Sequence, residues 1–353
     1  MDNVNLLRKT LKPHLKWHGA RLSFLALFLI ALFRVKTVNL VDLSIGFKSK
    51  AKKESSYKRL QRFLKEFDLD YYTMAKLVID MMEIPEPWVL SLDRTEWQFG
   101  RKVFNILTLG IVYQGVAFPL LWWMLDKKGN SNTDERIDLL KEFVELFCEH
   151  KINYLSADRE FLGHKWLEYL FSQPMMSFRI RVRETELLGD GKHQLSTKIV
   201  FSHLQIGEKL LLKRKRILWG HQVYIGAVRL QDNSLLTVIA PSYCHTLIDD
   251  YAQRWGIETL FGIFKSRGFN LEDTHLINSE RLSRLFALLT IALCWAYRTG
   301  QWLSDHKPIV IKKHGRKAKS TFRYGFDHLR SIFFNLDESK ADFLQSLQFL
   351  SCT

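Results

Sequence analysis

Cysteine is scarce and scattered in this chain. The four thiols, Cys148, Cys244, Cys294 and Cys352, form no CxxC pair and no Cys/His cluster. Their spacing argues against a structural zinc site and supplies no disulfide framework, which suits a reducing cytoplasm. A long apolar run is also missing. The nearest approach, LSFLALFLIALF at 22–33, is flanked by Arg21, Arg34 and Lys36 and has no small-residue cleavage site. It is too short to cross a bilayer, so a buried helix is expected rather than a signal peptide or a membrane span. Acidic residues fall short as well: 37 Asp and Glu against 52 Lys and Arg leave a net charge of +15. That surplus points to a polyanionic partner, held by phosphate neutralisation and counterion release. Repeats and low-complexity tracts are absent. What remains, 47% hydrophobic and 25% charged over 353 residues, is ordinary globular usage with enough chain for about two domains.

The pattern changes along the chain. Residues 1–85 read as helical: the apolar run at 22–33, a second segment at 38–47, a basic run at 48–53, then 57–66 with Ser55 or Ser56 as N-caps, and 69–82. Pro85 and Pro87 close this region. Beyond them, short apolar runs at 88–93, 103–113 and 117–124 read as strands. Gln114-Gly115 is the turn of an antiparallel pair. Asn132 or Thr133 can cap an amphipathic helix reaching about His150, with Ile137, Leu140, Phe143, Val144 and Phe147 on one face. Further expected elements are a strand at 152–155, a helix at 162–171 and a strand at 177–182. Residues 183–245 are strand-rich and basic. Helices are expected again at 251–266 and 279–302, before a basic loop at 307–319 and a mixed tail.

Three carboxylates stand out. Asp93 and Asp158 each follow an apolar strand, so adjacent strands can bring them to one sheet edge; singly, each reads as an ordinary turn residue. Glu258 lies in YAQRWGIETLFGIFK, where Tyr251, Glu258 and Lys265 recur every seven residues with Arg254 beside them. On a continuous helix these share a face. A phenol, a guanidinium, a carboxylate and an ammonium together suit a phosphodiester beside a metal ion. A solvated face with an Arg254–Glu258 pair is the alternative. Three carboxylates can hold two Mg²⁺ or Mn²⁺ ions without histidine or cysteine.

Four segments in order, Asp93-Arg-Thr-Glu-Trp-Gln-Phe-Gly100, Leu125-Asp-Lys-Lys-Gly-Asn-Ser-Asn132, Asp158-Arg-Glu-Phe161 and the Tyr251/Arg254/Glu258/Lys265 set, resemble the DDE transposases of the insertion-sequence-four family. The resemblance spans about residues 88–270, together with the general layout of the N-terminal helical region. It implies an α/β fold: a ribonuclease-H-like catalytic core, a β-strand insertion domain between the second Asp and the Glu, and an N-terminal helical domain. The expected organisation is 1–87 as a helical DNA-binding region, 88–182 and 246–305 as the two parts of the core, 183–245 as the β-rich insertion, and 306–353 as basic loop and tail.

The same resemblance implies roles. Asp93, Asp158 and Glu258 would hold the metal ions, while Tyr251, Arg254 and Lys265 would contact phosphates near the cleaved strand. Related enzymes excise their element through a hairpin at each end, flipping a base onto a tryptophan. Trp255 is a candidate for packing near that base, with core packing its ordinary alternative. Glu96 and Glu160 would at most support the two aspartates. The basic stretches at 209–216 and 312–319 are candidate phosphate-tracking surfaces. The implied partners are the terminal inverted repeats of a mobile element, target DNA and a second copy of the chain on DNA, with no membrane. A transposase-derived DNA-binding protein without catalysis is the alternative, and a basic membrane-associated protein built on 22–33 leaves the motifs unexplained.

Overall fold

In the computed structural model residues 3–47, 52–99, 102–173 and 176–351 are described. Cys352, Gly100 and most of the basic run at 48–53 lie outside the described residues. The chain divides into two compact units. One comprises Met1–Glu83, Trp97–Phe104 and Phe261–Thr353, and the other Ile84–Glu96 and Asn105–Leu260.

The helical unit begins with α1 (Asn3–Leu11), α2 (Gly19–Val35), α3 (Leu40–Gly46), α4 (Lys53–Glu66) and α5 (Tyr71–Met82). Helix α2 is apolar on every side and must be covered on every side. Ten of its residues from Leu22 to Phe33 are buried, each large side chain contributing about 1.5–3 kcal/mol over its exposed state. Among the described residues no single helix is long and apolar enough to cross a membrane. Helix α4 corrects the expected caps. It starts a turn earlier, with Lys52 at the cap position and no side-chain cap bond, because Lys53 and Glu54 propagate a helix well and Glu54 suits its positive end.

The sheet unit carries β1 (Trp88–Phe99) as far as Glu96, β2 (Lys102–Tyr113) from Asn105, β3 (Val116–Leu125), α6 (Thr133–Leu146), β4 (Ile152–Ala157), α7 (His164–Phe171) and β5 (Ser177–Val182). The β2–β3 hairpin is antiparallel, and Gln114 and Gly115 both take positive φ, 46° and 83°, as a two-residue hairpin turn requires. Asn132 caps α6 through a reciprocal capping box with Glu135. The helix stops at Leu146, a turn short of the expected end. The strand-rich region forms β6 (Leu187–Gly189), β7 (Gln194–Ser196), the short α8 (Thr197–Val200), β8 (Lys209–Leu211), β9 (Arg216–Leu218), β10 (His221–Arg229) and β11 (Leu235–Ala240). These strands continue the core sheet, in the order β3-β2-β1-β4-β5-β11-β10-β9-β6-β7, with β8 on β10. The junction is antiparallel, Val182 opposite Thr237 and Ile180 opposite Ile239, whereas β1, β4 and β5 run parallel.

The helix expected over 251–266 is broken into α9 (Leu247–Ala252), α10 (Trp255–Gly262) and a π-helical turn, Ile263–Arg267. Around the break the backbone bonds span three residues rather than four: Arg254 N–H to Tyr251 O, Gly256 N–H to Gln253 O and Ile257 N–H to Arg254 O, at 3.0, 2.9 and 3.0 Å. This tighter winding removes the strict seven-residue alignment of Tyr251 with Glu258. Gly256 shows one cause. A Cβ there would stand 2.8 Å from Val112 Cγ1 and 3.2 Å from the Val116 carbonyl carbon, so α10 closes on the hairpin backbone only because that side chain is missing.

Back in the helical unit, α11 (Ser279–His306) is followed by α12 (Thr321–Phe334) and α13 (Lys340–Gln348). The expected mixed tail is therefore helical and packed. Phe322, Phe326, Leu329 and Phe333 are buried, Phe333 lies 5.6 Å from Trp295 between ring centroids, and Trp295 Nε1 donates to Ser346 O at 2.8 Å. Helices α11 and α12 cross at Gly300 and Gly325, where an added Cβ would collide with backbone oxygen, of Thr321 and Ala296 respectively.

Candidate active site

Parallel pairing of β1 with β4 sets Leu92 opposite Ala157. Asp93 and Asp158 each come one residue after this last pair, so the register carries the two chains side by side up to them. Asp158 lies just past the end of β4, as expected. Asp93 does not end its strand: β1 runs on to Phe99, and only its pairing with β4 stops at Leu92. The strand outlasts its apolar run because its continuation, Arg94-Thr95-Glu96, is polar and gives no hydrophobic pattern in sequence.

Arg254, buried at the break before α10, gathers the site. Its Nη1 donates to Asp93 Oδ2 at 2.7 Å and its Nη2 to Glu258 Oε1 at 3.4 Å, so two carboxylates share one guanidinium. Asp93 Oδ1 also accepts from the Arg94 backbone N–H at 2.8 Å. The third carboxylate is held separately: the Tyr251 hydroxyl donates to Asp158 Oδ1 at 3.2 Å, and Arg181 Nη1 stands 3.7 Å from the same oxygen. The sheet unit thus brings together Asp93, Asp158, Glu258, Tyr251 and Arg254. Trp255, which opens α10, is 67% exposed; it is not a core residue. Lys265 belongs to the helical unit, where its ammonium lies 5.7 Å from the Trp97 ring centroid.

Burial is the main influence on Asp93 and pushes its carboxyl up; Arg254 and the Arg94 N–H pull it down, Glu258 and Glu160 push it further, and it settles at about 7. Burial also raises the Tyr251 phenol, against the pull of Arg254, so it stays a proton donor toward Asp158. Burial by itself would lower Arg254. The negative charge of Asp93, Asp158 and Glu258 opposes that burial, and the guanidinium is held above its usual value.

Two arginines that sequence reasoning passed over complete the surroundings. Arg94 bonds Asn105 Oδ1 at 2.8 Å and Asn130 Oδ1 at 2.6 Å, and its Nε lies 3.0 Å from Glu160 and its Nη1 3.8 Å from Glu96. It neutralises both glutamates next to the aspartates in sequence and ties them to the 125–132 loop. Arg181 alternates with Arg179 on β5, and that alternation was the available signal; Arg179 pairs with Asp250 at 3.0 Å.

Among the described residues no group of three acidic, histidine or cysteine side chains stands ready-made as a metal cage. The donor chemistry nevertheless fits hard divalent cations: the carboxylates are oxygen donors, and positive charge is already stabilised there, carried by Arg254 between Asp93 and Glu258. Of the basic stretches, Lys209 pairs with Asp249 and Lys215 lies 5.8 Å from the Tyr224 ring centroid. The loop at 312–319 is exposed throughout.

The family model for the transposase DDE domain matches residues 84–295. That is more than half of the chain, and the chain belongs to this family. Among solved structures, the cryo-EM structure of a piggyBac transposase synaptic complex with hairpin DNA is similar at a TM-score of 0.48 and 11% identity, covering 98% of this chain and 82% of that one. No curated protein matches the chain.

Proposed function

We propose that the chain is an active DDE transposase of the insertion-sequence-four type, which cleaves DNA strands at the ends of a mobile element and transfers them to target DNA by a cut-and-paste route. The observation that carries this reading is the convergence of Asp93 and Glu258 on the Arg254 guanidinium, with Asp158 held alongside by Tyr251. Asp93, Asp158 and Glu258 would hold two Mg²⁺ or Mn²⁺ ions; when bound, these activate the attacking oxygen and stabilise the leaving one.

The chain's own residues do the positioning. Tyr251 fixes Asp158 through a phenol that burial keeps protonated. Arg254 orients Asp93 and Glu258, and its remaining N–H donors can grip a phosphodiester oxygen beside them. Trp255 offers an exposed indole next to Arg254 on which an unstacked base can rest, and Lys265 serves as a further phosphate contact. The protein works on double-stranded terminal repeats and target DNA, as a dimer that pairs two ends, in the cytoplasm and on the nucleoid when DNA-bound.

The test is incubation of purified protein with labelled element-end DNA and Mg²⁺. Wild type should nick the DNA, and Asp93→Asn should bind it without nicking. Binding by wild type with no metal-dependent cleavage would replace this reading by that of a transposase-derived DNA-binding protein.

A further inference from the structure

The N-terminal helices leave a groove of about 620 Å³ between the start of α2 and the face of α4. Its charged lining is Arg21, Lys58, Arg59 and Arg62, with His18 and no carboxylate. A groove of similar size nearby, about 670 Å³, is lined by three aspartates against two lysines, so a single sign of charge is not the general character of this surface. Among the described residues none of the four cations forms a salt bridge. Lys58, Arg59 and Arg62 are exposed and stand on one stripe of α4, with Lys58 and Arg62 one turn apart.

The groove is also preorganised. Phe24 and Phe63 stack at 4.1 Å beneath it. The Arg59 guanidinium lies 5.8 Å from the Phe24 centroid and Arg21 lies 5.7 Å from Phe63 and 5.3 Å from Phe67. Arg59 Nη2 donates to Ala20 O at 3.3 Å. Arg59 is exposed as a residue, but its guanidinium is partly desolvated over the Phe24 ring; this and the like charge of Arg21 both hold it below its usual value, so two cations are kept together without a compensating acid. Such an arrangement is relieved by an anion.

We propose that this groove is a clamp for the DNA sugar–phosphate backbone, with Lys58, Arg59, Arg62 and Arg21 as its phosphate contacts. It rests on the reading of the chain as a DNA-handling protein. Its lining offers cations and one serine hydroxyl, Ser55, and Arg59 is held down against the Phe24 ring and Ala20 O rather than extended toward a base edge. Contacts to phosphates position duplex DNA without selecting its sequence.

The experiment uses the full chain and fluorescence anisotropy with two labelled duplexes, one carrying the element end and one scrambled, across roughly 50–200 mM salt. For the triple variant Lys58→Gln/Arg59→Gln/Arg62→Gln, the slope of log affinity against log salt should shrink by about 2–3, at about 0.9 per phosphate lost. The weakening should be similar on both duplexes. Arg59→Lys/Arg62→Lys keeps the charge and should retain most of the slope. Should the triple variant fail to fold, Lys58→Gln and Arg62→Gln singly, each costing about one unit of slope, decide the matter. An unchanged slope in a folded variant overturns the clamp, as does loss confined to the element-end duplex. Unchanged DNA binding with lost binding of poly-glutamate would make the groove an acidic-protein site instead. If wild type bound neither duplex, the DNA reading of the whole chain would fail.

Discussion

Asp93 should make this protein less stable as the pH rises from 5 to 8, and Asp93→Asn should remove that loss. The carboxyl titrates at about 7 in the folded protein, against about 3.9 in an unfolded chain. Between those values the folded state holds a proton that the unfolded state has released, so stability falls with rising pH and levels off above the folded value. Each pH unit inside that window is worth about 1.36 kcal/mol, and about two units of it lie between pH 5 and pH 8. The expected loss is therefore about 2.5 kcal/mol. Asparagine mimics the protonated acid and still accepts from Arg254. Groups elsewhere titrate alike in both proteins and cancel in the difference. In chelator, the melting-temperature gap between variant and wild type should widen in favour of the variant by roughly 5–10 °C from pH 5 to pH 8, at about 2–4 °C per kcal/mol for a unit of this size. Excess Mn²⁺ at pH 8 should then stabilise wild type, by about 2.7 kcal/mol at a hundredfold excess over Kd, and leave the variant unmoved. A gap that stays constant with pH, or closes, would refute the account of a carboxylate whose burial outweighs its arginine.

Two further outcomes are expected. Gly325→Ala should destabilise the helical unit by more than about 3 kcal/mol or prevent folding, because the new methyl group meets the Ala296 carbonyl across the α11–α12 crossing; chemical denaturation measures it. Trp255→Ala should change stability by less than about 0.5 kcal/mol, since the indole is 67% exposed, yet weaken binding to end DNA carrying an unpaired base by about 1–3 kcal/mol, read by anisotropy.

Local signals carried much of the architecture. The apolar run at 22–33 demanded a buried helix, Gln114-Gly115 a tight hairpin turn, and Asn132 or Thr133 a helix cap, each decided within a few residues. Asp158 was legible for the same reason, since strand and turn meet beside it. What sequence hid depends on partners far along the chain. Nothing in Gln253-Arg254 breaks a helix by propensity; the winding tightens where Arg254 reaches Asp93, 161 residues away, and where Gly256 meets the β2–β3 hairpin. Arg94 stayed hidden because a lone arginine carries no periodic signal, and Arg181, although it alternates with Arg179, because its partner is fixed only by strand register.

The strand order places β1, which carries Asp93, and β4, which Asp158 directly follows, third and fourth from one end of an eleven-stranded sheet, and β7 at the opposite terminus. The β6–β7 turn there is self-contained: Asp190 Oδ1 takes the N–H groups of Lys192 and His193, and Gly191 adopts φ 98°. Length can thus be gained or lost at that hairpin without shifting the register that aligns the aspartates. For engineering, residues 190–192 offer a natural port: a fluorophore or affinity handle inserted there would travel with the sheet while leaving the pairing of β1 with β4 undisturbed.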